Sequence, residues 1–476
     1  MVLNAAERTA EEQAFLKAHP SYAAGSGLDE LRAREYAHLD TQDHCYLDYT
    51  GGGLYGSCQL REHMHLLEGQ VFGNPHSRNP SSAAMTELVE RGRRKVLEFF
   101  RASPEEYVAI FTANASTALK LVGEAYPFGP GDHYLLTFDN HNSVNGIREF
   151  ARAKGARITY APVELPEMRV NDRTLEALLG SARRGSHNLF AYPAQSNFSG
   201  VQHPLEWIPR AQSLGWDVLL DAAAFAPTNR LDLSRWRPDF VPLSFYKMFG
   251  YPTGIGCLLA RRQALAKLHR PWFSGGTITV ASVQGDRYFM AEGSTAFEDG
   301  TLDYLSIPAV EIGLRHIESI GIETIHERCV CLTAWLLEQL VSLRHRNGRP
   351  LVRLYGPTTT ERRGGAVTMN FYDAADRVID HLRIEEEASR ANISLRTGCF
   401  CNPGGGEVAL QLSKTELLTC FSQSDMEEDP RFTPDDFRLC VDGKSTGAVR
   451  VSVGLVSNFQ DVYRFVQFAK TFLEPK

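Results

Sequence analysis

The sequence lacks any long apolar run. No segment approaches the roughly 20 consecutive apolar residues that a membrane-spanning helix needs, so we expect no membrane partner. An excess of positive charge is also missing, because 50 lysines and arginines stand against 57 aspartates and glutamates, for a net charge of -7. This balance argues against nucleic acid as a partner. The first residues show neither a secretory nor a transit-peptide pattern, which favours the cytoplasm.

Cysteine is too sparse for a disulfide framework. Nine cysteines are spread over 476 residues, and only two close pairs occur, Cys329 with Cys331 and Cys399 with Cys401. Neither pair has a second pair at the spacing of a zinc site, so we predict no metal. Internal repeats and low-complexity tracts are also missing. The composition, 43% hydrophobic and 22% charged, is typical of a globular protein large enough for two domains.

Short apolar strands alternate with helical segments along the first part of the chain. The strands are predicted at 108–111, 134–137, 157–160, 189–192, 217–220 and 240–243. This alternation predicts an α/β fold with a mostly parallel sheet, in which a ligand binds at the carboxyl ends of the strands. From about residue 352 the pattern indicates a smaller α+β unit. Within it, 404–406 and the acidic stretch 422–436 are expected to be exposed loops.

Lys247 is the most informative single residue. It lies in the run Ser244-Phe245-Tyr246-Lys247-Met248-Phe249-Gly250, among aromatic side chains and before a glycine-rich turn. Desolvation disfavours the charged form of an amine and makes it a better nucleophile. Asp221 ends an upstream strand, and a Schiff-base lysine with an aspartate for a pyridinium nitrogen is the pair that pyridoxal phosphate requires. Taken alone, Lys247 is more often an ordinary lysine at a strand end.

Other strand ends carry residues that suit the same cofactor. Ser116 and Thr117 open a helix whose N–H groups could hold a phosphate, although both are also ordinary N-cap residues. His141 could stack on a flat ring, and the Asn197 amide could donate to a phenolate oxygen. Ser244 could add a hydroxyl to the phosphate. Each residue alone has a simpler structural explanation, but their order at successive strand ends favours a cofactor site.

Several short motifs extend over nearly the whole chain. They are Gly73-Asn74-Pro75-His76-Ser77, Phe111-Thr112-Ala113-Asn114-Ala115, Ser244-Phe245-Tyr246-Lys247, Gly275-Gly276-Thr277, Leu395-Arg396-Thr397-Gly398-Cys399-Phe400-Cys401-Asn402-Pro403-Gly404 and Asp442-Gly443-Lys444-Ser445-Thr446-Gly447-Ala448-Val449-Arg450. On these motifs the chain resembles the class V pyridoxal-phosphate enzymes of the aspartate aminotransferase fold (type I). Among them it is most similar to the cysteine-desulfurase-like domain of the molybdenum-cofactor sulfurases.

The resemblance implies a domain organisation. Residues 1–44 would form a helical segment that packs on the small domain, and 45–318 would form the large domain that binds pyridoxal 5'-phosphate. Residues 319–476 would form a small α+β domain with a mobile cysteine loop. The sulfurases continue into a C-terminal domain that binds the molybdenum cofactor, whereas this chain stops at Lys476, so the resemblance leaves a part in molybdenum-cofactor maturation open.

The resemblance also implies roles for single residues. Lys247 would carry the cofactor as a Schiff base, with Asp221 at the pyridinium nitrogen and His141 stacked on the ring. Thr277 would reach the phosphate of the neighbouring subunit in a homodimer. The remaining roles are Asn197 at the phenolate side, Ser116, Thr117 and Ser244 at the phosphate, Arg450 at the substrate carboxylate, Tyr49 at the substrate mouth, and Cys401, with Cys399 beside it, as the sulfur-accepting thiol.

The implied activity is that of a cysteine desulfurase. Such an enzyme takes sulfur from L-cysteine, or a related sulfur amino acid, to a cysteine persulfide and releases alanine, for delivery to an acceptor protein or cofactor. A C–S lyase, a β-eliminating lyase, an aminotransferase or an epimerase would need Lys247 but no mobile thiol. A non-enzymatic partner protein is a further alternative. A nucleotide-binding loop at Gly443-Lys444-Ser445 is disfavoured, because Arg438 stands where its first glycine is required.

Overall fold

Apolar strand segments alternate with helices through most of the fold. The computed structural model describes residues 5–75, 77–424 and 447–474. The strands are β1 Cys45–Tyr46, β2 Tyr107–Thr112, β3 His133–Thr137, β4 Arg157–Ala161, β5 Val163–Glu164, β6 Arg169–Val170, β7 Asn188–Pro193, β8 Asp217–Asp221, β9 Phe240–Ser244, β10 Gly256–Arg261, β11 Ile278–Ser282, β12 Arg287–Met290, β13 Val352–Tyr355, β14 Ala366–Tyr372, β15 Val378–Ile379, β16 Ile393–Ser394, β17 Arg396–Gly398 and β18 Ala448–Ser452.

Helices connect most of these strands, and two short 3-10 helices cover Pro20–Gly25 and Gly293–Phe297. The α-helices are α1 Ala5–Ala18, α2 Gly27–Glu35, α3 His38–Thr41, α4 Ser57–Glu68, α5 Pro80–Phe99, α6 Ala115–Ala125, α7 Asn142–Asn145, α8 Ile147–Ala153, α9 Asp172–Leu179, α10 Trp207–Ser213, α11 Phe245–Phe249, α12 Arg262–Leu265, α13 Ile307–Ile320, α14 Ile322–Ser342, α15 His381–Arg390, α16 Pro403–Ala409, α17 Lys414–Ser424 and α18 Phe459–Lys470.

A seven-stranded sheet in the order β2-β10-β9-β8-β7-β3-β4 forms the middle of the larger domain. Neighbouring strands from β9 to β4 are parallel, and β10 is antiparallel to both β2 and β9. Strands buried on both faces must be apolar throughout, which explains why they appear in the sequence as continuous apolar runs. The predicted α/β fold with a mostly parallel sheet is therefore confirmed.

Helices cover both faces of this sheet. On one face α5 packs against α13, and its N-terminus is capped by Asn79, whose side chain accepts the Ser82 N–H at 3.0 Å. On the other face α6 packs against α8, and Leu119, Val122 and Ile147 belong to the apolar cluster there. The helical segment before β2 is the single helix α5, whereas the helical segment after β3 is divided into α7 and α8.

The smaller domain is built on an antiparallel sheet in the order β13-β14-β18-β17, with β15 added to β14. The N-terminal helices pack on it. Phe15 stacks on Phe459 with ring centroids 4.8 Å apart, and the buried Arg32 guanidinium lies 2.6 Å from an Asp461 carboxylate oxygen. The domain boundaries at 44/45 and 318/319 stay predictions.

The prediction of an exposed glycine loop at 404–406 is wrong. These three glycines are buried in the first turn of α16. A Cβ on Gly404 would collide with the carbonyl oxygen of Phe138, and one on Gly405 would lie 2.9 Å from the Phe198 ring. Glycine is therefore required here by the close approach of α16 to the larger domain, not by a turn.

Some predictions concern residues outside the described ranges. His76 and residues 425–446 are not described, and they include most of the acidic stretch 422–436 and most of the Asp442–Arg450 motif. Cys420 is disulfide-bonded, although no disulfide framework was predicted. In the ranges that the structure describes, no helix is long and apolar enough to cross a membrane, and no group of three or more His, Cys, Asp or Glu side chains is arranged to hold a metal ion.

The crowding at α16 predicts that substitution of Gly404 destabilises the fold, whereas substitution of Gly406 does not. We expect Gly404→Ala to lower the free energy of unfolding by roughly 1–3 kcal/mol, because the added methyl meets a backbone carbonyl that cannot move aside. Gly406→Ala is the matched control, since its Cβ would lie 3.6 Å from Cys399 Cβ, an ordinary contact. Urea unfolding of the two variants checks this, and equal stabilities would contradict it.

Candidate active site

A cavity of about 260 Å³ lies at the carboxyl ends of the central strands. The predicted residues reach it from successive strand ends. His141 follows β3, Asn197 follows β7, and Asp221 and Ser244 end β8 and β9. Its described lining consists of Asn114, Ala115, Ser116, Leu119, His141, Ser143, Pro193, Gln195, Asn197, Asp221, Ala223, Ala224, Ser244, Tyr246 and Lys247. The structure therefore brings six of the predicted site residues together around one cavity.

Lys247 lies in α11, the short helix that follows β9 directly. Gly250 ends this helix with φ 76°, and a side chain there would collide with the Leu54 backbone. Burial lowers the pKa of the Lys247 amine, and the charges of Arg450 and Arg396 add to this shift, whereas Asp221 opposes it. A larger fraction of the amine is consequently neutral near pH 7, as a nucleophile or a base requires.

His141 presents a neutral imidazole to the cavity. Its Nδ1 accepts the Ser143 N–H at 3.1 Å, so the proton of the neutral ring is assigned to Nε2. Burial lowers the pKa of His141, and the charges of Lys247 and Arg450 contribute, while Asp221 opposes them. A neutral ring on the cavity wall suits stacking on a flat cofactor.

The N-terminus of α6 forms the polar end of the cavity. The Asn114 side chain caps the helix by accepting the Thr117 N–H at 2.9 Å, and Ser244 Oγ accepts the Ala115 N–H at 2.9 Å. Ser116 Oγ lies 2.6 Å from Ser143 Oγ. Ser116 and Ser244 line the cavity as predicted. Thr117 lines a neighbouring cavity instead, and its hydroxyl lies 3.2 Å from the Asn114 side-chain oxygen.

These residues fit pyridoxal phosphate. The cavity holds an amine with a lowered pKa, a carboxylate and a neutral flat ring, at Lys247, Asp221 and His141. At its far end, serine hydroxyls surround a helix N-terminus, where a phosphate is stabilised by the helix dipole. Gly256 allows this end to form, because a Cβ there would lie 2.5 Å from Asn114 Cα.

The side-chain amides of Gln195 and Asn197 follow β7, and only Asn197 was predicted to have a role in the site. The Asn197 amide donates to the Phe400 carbonyl at 2.7 Å and accepts from Asn402 at 2.9 Å, so it faces the cysteine motif as well as the cavity. Gln195 lines the cavity and donates to the Ala224 carbonyl at 3.0 Å. Its place two residues before Asn197, directly after a strand, is the signal that could have identified it.

Residues 399–401, which we name the cysteine turn, connect β17 to α16. Phe400 and Cys401 have φ values of 56° and 54°, in the left-handed region that side chains disfavour. The Cys401 carbonyl accepts the Asn142 N–H at 2.7 Å, next to His141. Both thiols are free and exposed. In this structure the cysteine turn is bonded beside the cavity, and its mobility stays a prediction.

Arg450 does not line the cavity in the described part of the chain, although it was predicted to bind the substrate carboxylate. It is 2% exposed and donates to the Asn197 carbonyl at 2.8 Å and to Asp48 Oδ1 at 3.1 Å. The Phe400 ring lies over its guanidinium at 4.7 Å. Burial lowers the pKa of Arg450 to about 10, with Arg396 adding to the shift and Asp48 opposing it.

Two further predicted residues lie away from the main cavity. Tyr49 lines a second cavity of about 20 Å³, whose wall also includes Lys247 and Gln195. Thr277 is buried and bonded within its own loop, since its hydroxyl donates to the Ser274 carbonyl at 2.8 Å. Tyr49 therefore lies on the other side of Lys247, and Thr277 makes no contact with the cavity of its own chain.

The aminotransferase class-V family model matches residues 45–465, nearly the whole chain. The chain belongs to the class V aminotransferase family. This membership confirms the resemblance identified from the motifs and, with it, the pyridoxal phosphate enzyme that the resemblance implies. The assignments of single residues within this site remain predictions.

Curated relatives in this family are molybdenum cofactor sulfurases. The protein of Solanum lycopersicum is 36% identical over 97% of this chain and 59% of its own length. The Homo sapiens protein is 37% identical over 94% of this chain and 52% of its own length. The chain thus spans between half and three fifths of the length of these two relatives.

Solved structures share the fold. A cysteine desulfurase from Thermococcus onnurineus NA1 superposes with a TM-score of 0.75 at 24% identity, over 93% of this chain and 97% of that one. The cystine C–S lyase C-DES, solved with its product cysteine persulfide, gives a TM-score of 0.68 at 18% identity, over 90% and 98%. At these identities the likeness establishes the predicted type I fold alone.

The lowered pKa of Lys247 predicts a pH-dependent gain in stability for Lys247→Met in the cofactor-free protein. Because the folded-state pKa lies below the ordinary value, the penalty of the buried charge is full below that folded pKa and disappears as pH rises towards 10.5. We expect the variant to be more stable than the parent at pH 7, and we expect the difference to shrink as pH rises to 10.

Urea unfolding at pH 7, 8.5 and 10 measures this difference. Lys17→Met is the control, since that lysine is exposed on α1 and its substitution should change stability little at any of these pH values. A Lys247→Met variant that is less stable than the parent at pH 7 would contradict the lowered pKa.

Proposed function

We propose that this protein is a cysteine desulfurase-like enzyme that moves the sulfur of L-cysteine to Cys401 and releases alanine. Its proposed location is the cytoplasm. A sulfur acceptor, either another protein or a cofactor, would then take the sulfur from Cys401. The molybdenum cofactor sulfurases and the cysteine desulfurase among its relatives support this proposal.

The placement of the Cys401 thiol is the observation that carries the proposal. Cys401 is free and exposed, in the turn that connects β17 to α16. Its carbonyl accepts the Asn142 N–H at 2.7 Å, directly after the cavity residue His141. An exposed thiol in a turn that is bonded beside the cavity suits sulfur transfer, whereas elimination or transamination needs none.

The residues divide the chemistry among themselves. When bound, pyridoxal phosphate supplies an electron sink for the bond changes at the amino-acid Cα and Cβ. The Lys247 amine, partly neutral because of its lowered pKa, takes the Cα proton at Nζ. Asp221 holds negative charge at the cavity wall opposite a pyridinium, and the neutral His141 can donate a proton from Nε2. Arg450 would hold the substrate carboxylate in a bidentate pair.

The net reaction balances without an external oxidant. The Cys401 thiolate attacks the substrate sulfur, so that an S–S bond forms and the Cβ–S bond breaks. Two protons, from the substrate and the enzyme thiol, complete alanine and the terminal S–H of the persulfide. The sulfur ends as Cys401–S–SH, and the amino-acid carbon skeleton is released as alanine.

This proposal predicts different outcomes for two neighbouring thiols. Cys401→Ala should retain the cofactor absorbance but lower alanine formation from L-cysteine by a factor of 100 or more, in the manner of a lost catalytic nucleophile (on the order of 10²–10⁴). Cys399→Ala, in the same turn, should retain most of the activity. Alanine is quantified chromatographically, and the persulfide is located by mass spectrometry of peptides.

Lys247→Ala should abolish both the cofactor absorbance and turnover, because no other amine lines the cavity in the described ranges. Full alanine formation by Cys401→Ala would contradict the proposed thiol. Pyruvate and ammonia in place of alanine would instead show a C–S or β-eliminating lyase, the reaction class of one fold neighbour.

A homodimer is part of the proposal, and an exposed apolar hairpin supports it. The β11–β12 hairpin exposes Val280, Val283 and Phe289 by 57%, 99% and 66%. Such a patch is costly in water and is typical of an interface. Thr277 directly precedes this hairpin, so a partner subunit that covers the hairpin would also contact the loop that contains Thr277.

Charges on the hairpin should therefore separate the subunits. We expect the parent to sediment as a dimer and the double variant Val283→Asp with Phe289→Asp to sediment as a monomer, since a buried unpaired carboxylate costs several kcal/mol. Val378→Asp is the control, because this valine is 40% exposed on β15, in the sheet of the smaller domain, and its variant should stay dimeric. Analytical ultracentrifugation measures this, and a monomeric parent would contradict the dimer.

A further inference from the structure

Phe400 is the most tightly held residue of the cysteine turn. Its ring is 7% exposed and lies between the Arg450 guanidinium, at 4.7 Å, and the Phe198 ring, at 5.4 Å. Its carbonyl accepts from the Asn197 amide at 2.7 Å. The backbone at Phe400 and Cys401 is left-handed, a conformation that persists in bulky residues only where surrounding contacts enforce it.

These contacts close Arg450 off from the cofactor cavity. The guanidinium is 2% exposed, with one face under the Phe400 ring and two nitrogens bonded to Asp48 and Asn197. Its Nε is buried and has no hydrogen-bond partner in the described structure, although a guanidinium nitrogen normally finds one when buried. Nε and one NH₂ group form the edge that a carboxylate occupies in a bidentate pair.

We propose that Phe400 is a positioning residue that gates Arg450, so that binding of the substrate carboxylate and movement of the Cys401 thiol are one event. This rests on the proposed function, because it takes an amino-acid carboxylate as the ligand of Arg450. The Phe400 ring packs on the guanidinium and helps to bury it, so a carboxylate that enters to pair with Nε would displace the ring. Phe400 is joined directly to Cys401, so displacement of the ring moves the thiol.

The same movement breaks contacts that hold the thiol in its resting place. The Asn142 N–H donates to the Cys401 carbonyl at 2.7 Å, and it belongs to the first turn of α7, where N–H groups have no acceptor within the helix. Displacement of the turn therefore exposes this amide. The left-handed backbone favours release, because two strained residues relax once the ring contacts are lost. The Cys401 thiol then leaves its resting position only when substrate is bound.

Hydrogen exchange at the Asn142 amide tests the coupling without sulfur chemistry. L-alanine is the probe, because it carries the carboxylate and amine of the substrate but no sulfur. In the parent holoenzyme we expect saturating L-alanine to accelerate exchange of the Asn142 amide several-fold. The Gly146 amide, which donates to the Asn142 carbonyl at 2.8 Å within the same segment, is the internal reference and should not change.

Two substitutions distinguish the effect of the aromatic ring of Phe400 from the effect of the size of its side chain. Phe400→Leu removes the contact of the ring face with Arg450, so we expect L-alanine to bind roughly two- to fivefold more tightly and Asn142 to exchange fast with or without it. Phe400→Tyr retains the ring face and should behave as the parent does. Affinity is read from the cofactor absorbance, and exchange from mass spectrometry with electron-transfer fragmentation.

If saturating L-alanine does not change the exchange rate of the Asn142 amide in the parent, the proposed gating by Phe400 is wrong. This measurement does not depend on the folding of any variant. Weaker L-alanine binding by Phe400→Leu would overturn the gate too. The proposed function fails separately, if L-cysteine yields no alanine. An enzyme that forms alanine from L-cysteine but shows no change at Asn142 has the proposed function and lacks the gate.

Discussion

The amide of Asn402 fastens the cysteine turn to the cofactor cavity, and the geometry of the site depends on it. Its nitrogen donates to the Asp139 carbonyl at 2.7 Å and to Asn197 Oδ1 at 2.9 Å, and its oxygen accepts the Gly405 N–H at 2.9 Å. One fully buried side chain thus joins the loops after β3 and β7 to the first turn of α16. A buried amide with all these bonds made is costly to displace, since each unmade bond carries a desolvation penalty. These hydrogen bonds of Asn402 determine the position of the adjacent Cys401.

Charge around the site alternates in sign, and this order is a second constraint. Asp48 lies between two arginines, with one carboxylate oxygen 2.6 Å from Arg396 and the other 3.1 Å from Arg450. Two guanidiniums this close repel one another, and the shared carboxylate compensates for part of that cost. Asp221 plays the corresponding role for Lys247, opposing the effect of burial on the amine. Removal of either carboxylate would leave uncompensated positive charge beside the cavity.

Local sequence patterns predicted most of the secondary-structure elements, but they did not predict which residues are buried at every position. Six of the seven strands of the central sheet were predicted from their apolar runs, because buried strands are mostly apolar, whereas β10 was not predicted. The glycines at 404–406 were misinterpreted, since a run of glycine usually marks a loop and here permits α16 to touch Phe138 and Phe198. The position of Gln195 on the cavity wall was also not predicted. Its cavity position results from the path of the chain after β7, which no local pattern encodes.

The sequence by itself determined the family, the α/β fold and the placement of the predicted cofactor residues at successive strand ends. Parallel strands bring their carboxyl ends to one edge of a sheet, so Lys247, Asp221 and His141 had to meet once the strands were recognised. Only the tertiary structure decided how the cysteine turn lies, with Phe400 over Arg450 and Cys401 bonded to Asn142. Phe400 and Arg450 are 50 positions apart in the chain and Cys401 and Asn142 are 259 apart, and spacing along a sequence carries no information about such contacts.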